Sequence, residues 1–162
     1  LFLMVFPLLA LLWMVRSGRV ETVDVRRRER RGGPIVVALV AGVLAVVASY
    51  ALEWPTTPLT TPLFGLFVVN SVLLGLITLR LKISLHAAAV ASFGSMSLVI
   101  ALAAGAPFLW QAASLVAVPL VGWSRIRTGV HTVTEIVAGA IFGLLVPVAE
   151  LALLLEVGWL AL

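Results

Sequence analysis

The sequence predicts an all-α, polytopic membrane protein with about six transmembrane helices in a compact bundle. Of its 162 residues, 62% are hydrophobic and 11% are charged, whereas about a quarter of the residues in a soluble domain are charged. The mean hydropathy is +1.20. The apolar stretches are continuous and about 17 to 22 residues long, enough for a helix to cross about 30 Å of hydrocarbon. They are too long and too uniform for the alternating strands of a membrane barrel.

Each predicted span ends where charge, proline or a polar turn interrupts the apolar run. The chain has room for these spans and little else, so we expect a single domain over 1–162. An arginine-rich loop over 16–34 follows the first span, and the prolines of 53–62 separate the second span from the third. Gly139 and Gly143 in the last span form a GxxxG pattern, which lets helices approach closely. The predicted spans cover 1–15, 35–52, 63–79, 84–104, 108–123 and 132–150.

Positive charge is confined to three loops. Of the 11 Lys and Arg residues, seven lie in 16–34, two in 80–82 and two in 125–127. Alternating spans put these loops on the same side of the membrane, and the positive-inside rule assigns that side to the cytoplasm. Arginine clusters also bind nucleic acid, but no aromatic residue interleaves with this cluster and membrane spans flank it. We therefore expect contact with anionic lipids of the cell (plasma) membrane and no nucleic-acid partner.

The two histidines of the chain, His86 and His131, fall at the same predicted membrane face. Each stands at the start of a predicted helix and near two cations, and ionisable groups at membrane depth are candidates for function. A single histidine is usually a structural hydrogen-bonding group, so it is the pair that favours a shared site. Glu135 follows His131 by one helical turn and shares its face.

A site built from these residues has two chemical interpretations. His86, His131 and Glu135 form a two-histidine, one-carboxylate set that suits a metal ion. Neighbouring cations would repel a divalent metal and attract a phosphate, which arginine grips with its planar fork. Two helix N-termini would add the positive ends of their dipoles. We therefore expect an anion site with no metal and no cofactor. The cations are Arg80, Lys82, Arg125 and Arg127.

Two of the candidate residues also fit a structural role. Thr132 and Glu135 have the spacing of a capping box at the start of the last helix. Ser84 stands where the N-cap of the fourth helix is expected. A capping glutamate can still accept a hydrogen bond from His131, so the structural and functional interpretations of Glu135 both stay open.

The stretch from Ser124 to Glu135 resembles the third motif of the type-2 phosphatidic acid phosphatases, which share a helical core with the vanadium haloperoxidases. It reads Ser-Arg, five residues, His131, three residues and then Glu135, where the family motif SRxxxxxHxxxD ends in Asp. Residues 83–86, ISLH, resemble the second motif, PSGH, in the Ser and the His. The first motif, KxxxxxxRP, is not found, and the RLK turn at 80–82 resembles it only in supplying cations. The resemblance covers about the last two-thirds of the chain.

The resemblance implies an enzyme, a metal-independent phosphatase acting on a lipid phosphate. Its substrate class would be phosphatidic acid, phosphatidylglycerol phosphate or a polyprenyl phosphate or pyrophosphate. His131 would attack phosphorus to give a phosphohistidine, and Glu135 would hold its imidazole. His86 would protonate the leaving group and then activate water. The residues implied to hold the phosphate oxygens are Arg125, Ser84, Lys82 and Arg80.

Two other functions stay open. A degenerate family member would bind phospholipid or polyprenyl phosphate without turnover, since the first motif is missing and positions 83 and 85 are not Pro and Gly. A small transporter or channel component would use its charges only to set topology, but the middles of the predicted spans lack ionisable residues. The family usually places its site on the extracytoplasmic face, whereas the charge distribution here predicts the cytoplasmic face. The sequence does not indicate an oligomeric state.

Overall fold

The computed structural model describes residues 3, 5–22, 25, 30–52 and 57–159, and each regular element in this part of the chain is an α-helix. The all-helical part of the predicted fold is therefore confirmed. The helices are α1 (Val5–Arg16), α2 (Gly32–Ala51), α3 (Thr57–Arg80), α4 (Leu85–Ala103), α5 (Leu109–Ser114), α6 (Ala117–Arg127) and α7 (Val133–Glu156).

Four helices are long and apolar enough to cross a membrane: α2, α3, α4 and α7. They correspond to the spans predicted over 35–52, 63–79, 84–104 and 132–150. Between 17% and 33% of the residues in their most apolar windows are buried, so most of the apolar surface of each helix faces outward. An outward apolar surface of this extent is typical of contact with lipid.

The chain divides into two compact units, Leu1–Leu81 and Lys82–Leu162, which we describe separately. The single domain over 1–162 stays a prediction. In the first unit α2 packs on α3 and α1 packs on α2. α1 has 12 residues, about 18 Å of helix, which is shorter than the roughly 30 Å of a hydrocarbon core. A membrane span over 1–15 therefore also stays a prediction.

The third span begins earlier than the sequence predicted. We expected the prolines to keep 53–62 out of the helix, but α3 begins at Thr57 and contains Pro62. Pro58 falls in the first turn, where its missing N–H would have no partner within the helix. Pro62 removes one further hydrogen bond, close to the open end of α3. Residues 53–56 of the predicted loop lie outside the described residues.

The fifth predicted span, 108–123, is divided into two short helices, α5 and α6. The break falls at Leu115 and Val116, just before Pro119, which has no N–H to donate to the Leu115 carbonyl. The N–H groups of Leu115 and Val116 donate instead to carbonyls three residues earlier, at 3.1 and 3.0 Å. The backbone at the break therefore stays hydrogen-bonded, as it must at membrane depth. A single helix over 108–123 was the wrong expectation.

In the second unit α4 and α7 form the most extensive packing, and they run in the same direction. Gly139 lies against the Ser84 carbonyl, and Gly143 lies against the Ala88 carbonyl. A Cβ atom at either glycine would overlap the carbonyl oxygen. The Ser95 hydroxyl donates to the Gly143 carbonyl oxygen at 3.1 Å. The predicted close approach at the GxxxG pattern is therefore confirmed, and its partner is α4.

Helices α5 and α6 return the chain to the end of the second unit where α4 begins. The N–H of Ser84, just before α4, donates to the Glu135 carbonyl at 3.0 Å, so α4 and α7 start side by side. α6 ends at Arg127, and a short turn joins it to α7. Together α5 and α6 therefore cover the length that α4 covers. Both predicted half-sites of this unit, 82–86 and 124–135, lie at this one end.

Candidate active site

The turn between α6 and α7 brings the backbones of Arg125 and His131 together. α6 ends in a Schellman motif, in which Gly129 has a φ of 65°, a conformation that glycine adopts without a steric penalty. The N–H groups of Val130 and Gly129 donate to the carbonyls of Arg125 and Ile126 at 3.1 and 2.9 Å. The His131 N–H also reaches the Arg125 carbonyl oxygen, at 3.4 Å. The five residues between Arg125 and His131 therefore form the C-terminal cap of α6, which places His131 beside the last turn of that helix.

A capping box then begins α7. The Glu135 N–H donates to the Thr132 hydroxyl oxygen at 3.3 Å, and the Thr132 N–H donates to Glu135 Oε2 at 3.2 Å. The predicted capping box is confirmed. It fixes the Glu135 side chain back over the start of the helix, on the side where His131 lies.

His131 and Glu135 form a partly buried pair. The imidazole Nδ1 lies 2.8 Å from Glu135 Oε2, and the two side chains are 7% and 16% exposed. Because a carboxylate only accepts hydrogen bonds, Nδ1 carries the proton of the neutral ring, and Nε2 carries the free electron pair. Glu135 is thus both a cap and a partner of His131. An imidazole held in one tautomer by a carboxylate can act as a nucleophile or as a general base.

Lys82 completes the surroundings of Glu135. Its ammonium lies 3.2 Å from Glu135 Oε1, and its side chain is 44% exposed. Two residues later, the Ser84 N–H donates to the Glu135 carbonyl oxygen at 3.0 Å. The missing side chain of Gly139 leaves room for the Ser84 backbone to come this close. The 82–84 segment is therefore joined to the start of α7 through both the side chain and the backbone of Glu135.

Ser84 and His86 lie at the start of α4. The Ser84 hydroxyl oxygen accepts from the Ala87 N–H at 3.3 Å, which confirms the predicted N-cap. Ser84 is fully buried, so its observed role is to fix the α4 N-terminus. His86 is the second residue of α4 and its side chain is exposed. The N-termini of α4 and α7 thus begin side by side, with their positive dipole ends at the same end of the unit.

The arginines predicted for the site fall in different places. Arg125 is in the last turn of α6, beside the backbone of His131. Arg127 lies over Trp123, with 6.0 Å between the guanidinium carbon and the ring centroid. Arg80 is the last residue of α3 and is exposed. It belongs to the first unit, so its part in the site stays a prediction.

The ion pair of Lys82 with Glu135 and the hydrogen bond from Ser84 to Glu135 had not been foreseen. Both depend on which helix packs on α7, and the sequence carries no signal for that choice. The GxxxG pattern of α7 predicted a close helix partner without identifying α4. Once α4 is the partner, the short spacing from Lys82 to Ser84 brings the ammonium within reach of the carboxylate.

The metal interpretation finds no support in the described residues. Among them, no group of three or more His, Cys, Asp or Glu side chains is arranged to hold one metal ion. His86, His131 and Glu135 therefore do not form the three-ligand set that the sequence allowed. The Glu135 carboxylate is instead engaged by Lys82, His131 and the Thr132 N–H.

Comparisons of this chain with protein-family models, with curated proteins and with solved structures found no match.

Proposed function

We propose that this protein is a membrane-embedded, metal-independent phosphatase that removes phosphate from a lipid phosphate. The observation that carries the proposal is the partly buried pair of His131 and Glu135, in which Nδ1 faces the carboxylate and the neutral ring carries its electron pair on Nε2. Lys82 and Arg125 supply positive charge at the same end of the second unit, where two helix N-termini also meet. The spacing that resembles the third motif of the type-2 phosphatidic acid phosphatases supports the same assignment.

The proposed reaction has two steps. His131 Nε2 attacks phosphorus, a P–N bond forms, the P–O bond to the lipid breaks, and His86 protonates the leaving oxygen. Water, deprotonated by His86, then attacks phosphorus. The P–N bond breaks, its electron pair returns to His131 Nε2, and inorganic phosphate leaves. Glu135 stabilises the positive charge that develops on the His131 ring. Arg125 offsets the charge on the phosphate oxygens, and Lys82 adds positive charge beside Glu135. Arg80 and Ser84 stay sequence-based predictions as phosphate ligands.

The position of the site relative to the exposed tryptophans supports a lipid substrate. Trp123 is 64% exposed and lies on α6 near its end at the site. Trp110 and Trp159 are 81% and 75% exposed and lie at the opposite end of the unit, near the start of α5 and just after α7. Tryptophans at both ends of apolar helices are typical of the two membrane interfaces. The site would then lie at headgroup depth, where a lipid tail can stay in the bilayer.

Within this proposal, the second unit spans the membrane three times, through α4, through α5 and α6 as one interrupted span, and through α7. With α2 and α3 these make five crossings, and the predicted span over 1–15 would be the sixth. If consecutive spans alternate, as the sequence predicts, the positive-inside rule assigns both half-sites to the cytoplasmic side of the membrane.

Single-cysteine labelling tests this sidedness cleanly, because the chain has no cysteine of its own. Ser17 and Ala106 are both exposed and lie on opposite sides if α2, α3 and α4 each cross once. A maleimide that cannot cross membranes is expected to label Ala106→Cys in intact cells, and Ser17→Cys only after permeabilisation. The reverse pattern would place the site on the extracytoplasmic face. Labelling of both positions in intact cells would contradict one crossing each by α2, α3 and α4.

Phosphate release in the presence of EDTA tests the function. The purified protein in detergent is expected to release inorganic phosphate from at least one of phosphatidic acid, phosphatidylglycerol phosphate and undecaprenyl pyrophosphate, at a rate that EDTA does not change. Loss of activity with EDTA and its return with zinc or manganese would contradict the metal-independent mechanism. Binding of these lipids without any release would instead favour a degenerate member of the family. The buried Ser84 and the residues at 83 and 85 give that second candidate its support.

A further inference from the structure

We propose that Lys82 is a positioning residue that acts through Glu135, and that it is not chiefly a ligand of the phosphate. The inference rests on the proposed function for its effect on turnover. Its geometric content, that Lys82 fixes the hydrogen bond between Glu135 and His131, is independent of any substrate. The inference rests on the Glu135 carboxylate, whose two oxygens face different partners. One partner is Lys82 in the 82–86 segment, and the other is His131 in the 124–135 segment.

The two oxygens of Glu135 have separate partners. Oε2 accepts from His131 Nδ1 at 2.8 Å and from the Thr132 N–H at 3.2 Å, while Oε1 faces the Lys82 ammonium at 3.2 Å. A carboxylate held at both oxygens cannot rotate about its terminal bond without losing a charged partner. Oε2 therefore stays directed at His131 Nδ1, and His131 stays in the tautomer that leaves Nε2 free.

The backbone of Lys82 is itself held in place. Ile83 is 5% exposed and Ser84 is fully buried. The Ser84 N–H is bonded to the Glu135 carbonyl oxygen, and Gly139 admits this approach. An exposed ion pair between two mobile side chains contributes little because ordering them costs entropy. Here Glu135 is held by its capping box, and the backbone that follows Lys82 is buried and hydrogen-bonded. Mainly the Lys82 side chain therefore remains to be ordered.

A positioning residue and a phosphate ligand differ in the kinetic parameter that they affect. A phosphate ligand that acts equally on substrate and transition state lowers KM, so its removal raises KM. A residue that orients the nucleophile changes kcat, because the free enzyme binds substrate as before but holds His131 less well. In metal sites, removing a residue that orients a metal ligand typically lowers affinity or activity about 10- to 100-fold. A loss of the same order is expected for a residue that orients a nucleophile. Glu135 keeps two other hydrogen bonds in such a variant, so the lower end of this range is expected.

The test compares Lys82→Met, Lys82→Arg and the control Arg19→Met. Lys82→Met keeps much of the chain length and removes the charge, and Lys82→Arg keeps the charge. Arg19 is a cation outside the proposed site that lies over Trp13. Lys82→Met is expected to lower kcat about tenfold with KM within about twofold of wild type. Lys82→Arg is expected to retain most of the wild-type kcat, and Arg19→Met to leave kcat unchanged. A raised KM with unchanged kcat in Lys82→Met would overturn the inference.

A second readout needs no substrate. The chain has two histidines, so ¹⁵N-histidine spectra in a His86→Gln background report His131 alone. In Lys82→Met the fraction of the tautomer protonated at Nδ1 is expected to fall, and its ring proton to exchange faster with water, whereas Arg19→Met should match the parent. Unchanged tautomer and exchange in Lys82→Met would overturn the inference even if the protein is an active phosphatase. The expected spectra would uphold the geometric role even if no lipid phosphate were hydrolysed.

Discussion

His131→Ala is expected to lower phosphate release by at least about 10⁴-fold, the largest loss expected of any single substitution in this chain. The variant lacks the nitrogen that forms the bond to phosphorus, and neither Glu135 nor His86 can take its place. Glu135 is committed as an acceptor to three donors, and His86 has to protonate the leaving oxygen. The measurement is phosphate release from the best lipid substrate, under conditions that saturate the wild-type protein.

Two controls separate lost chemistry from lost folding. Thr134→Ala changes an exposed residue between the capping Thr132 and Glu135, and it should retain nearly full activity. Free imidazole should restore part of the activity of His131→Ala, because the deleted side chain was 7% exposed and leaves a cavity beside Glu135. If His131→Ala stayed as active as Thr134→Ala, the assignment of His131 as nucleophile would be wrong.

Gly139→Ala is the second substitution with a large expected effect. A Cβ at this position would overlap the Ser84 carbonyl oxygen, and backbone cannot move aside as the end of a flexible side chain can. Overpacking of this kind typically destabilises a protein by about 1–3 kcal/mol. Here it also pushes Ser84 away from the Glu135 carbonyl. The 82–84 segment then shifts relative to α7, and Lys82 moves away from the Glu135 carboxylate. Both the unfolding midpoint in detergent and phosphate release are expected to fall.

Gly143→Ala and Gly65→Ala are matched controls for this prediction. At Gly143 the same change overlaps the Ala88 carbonyl oxygen, one turn further along α4. Gly143→Ala should lower the unfolding midpoint about as much as Gly139→Ala does. The activity of the protein that remains folded should fall less. At Gly65, in α3, an added Cβ would meet nothing within 4 Å, and the change should be neutral or stabilising by up to ~1 kcal/mol. Equal behaviour of Gly139→Ala and Gly65→Ala would contradict the close approach of α4 and α7.

The long helices could be read from the sequence because their cause is local. A continuous apolar run longer than about 17 residues has few alternatives to a membrane-length helix, and α2, α3, α4 and α7 follow such runs closely. Prolines were harder to interpret, since their effect depends on position within a turn. Pro58 and Pro62 lie inside α3 near its start, whereas Pro119 is the third residue of α6, after the break that follows α5.

The part of the candidate site that lies within the single segment 124–135 could be predicted from the sequence. Arg125, His131 and Glu135 are joined by a C-cap and a capping box, and the residues for both are visible as Gly129 and Thr132. The contribution of the 82–86 segment was a matter of tertiary packing. Its charge and its N-cap were foreseen, but the pairing of Lys82 with Glu135 in place of a phosphate was not, because it requires α4 and α7 to be known neighbours.

The most direct test of the proposed chemistry is to trap the phosphoenzyme. After brief incubation with a ³²P-labelled lipid phosphate and a denaturing quench, label is expected on the protein. It should be stable to base and labile to acid, and it should map to the peptide that contains His131. His131→Ala should carry no label. Rapid phosphate release by the wild-type protein with no trapped label, or label that maps to His86, would contradict His131 as the nucleophile.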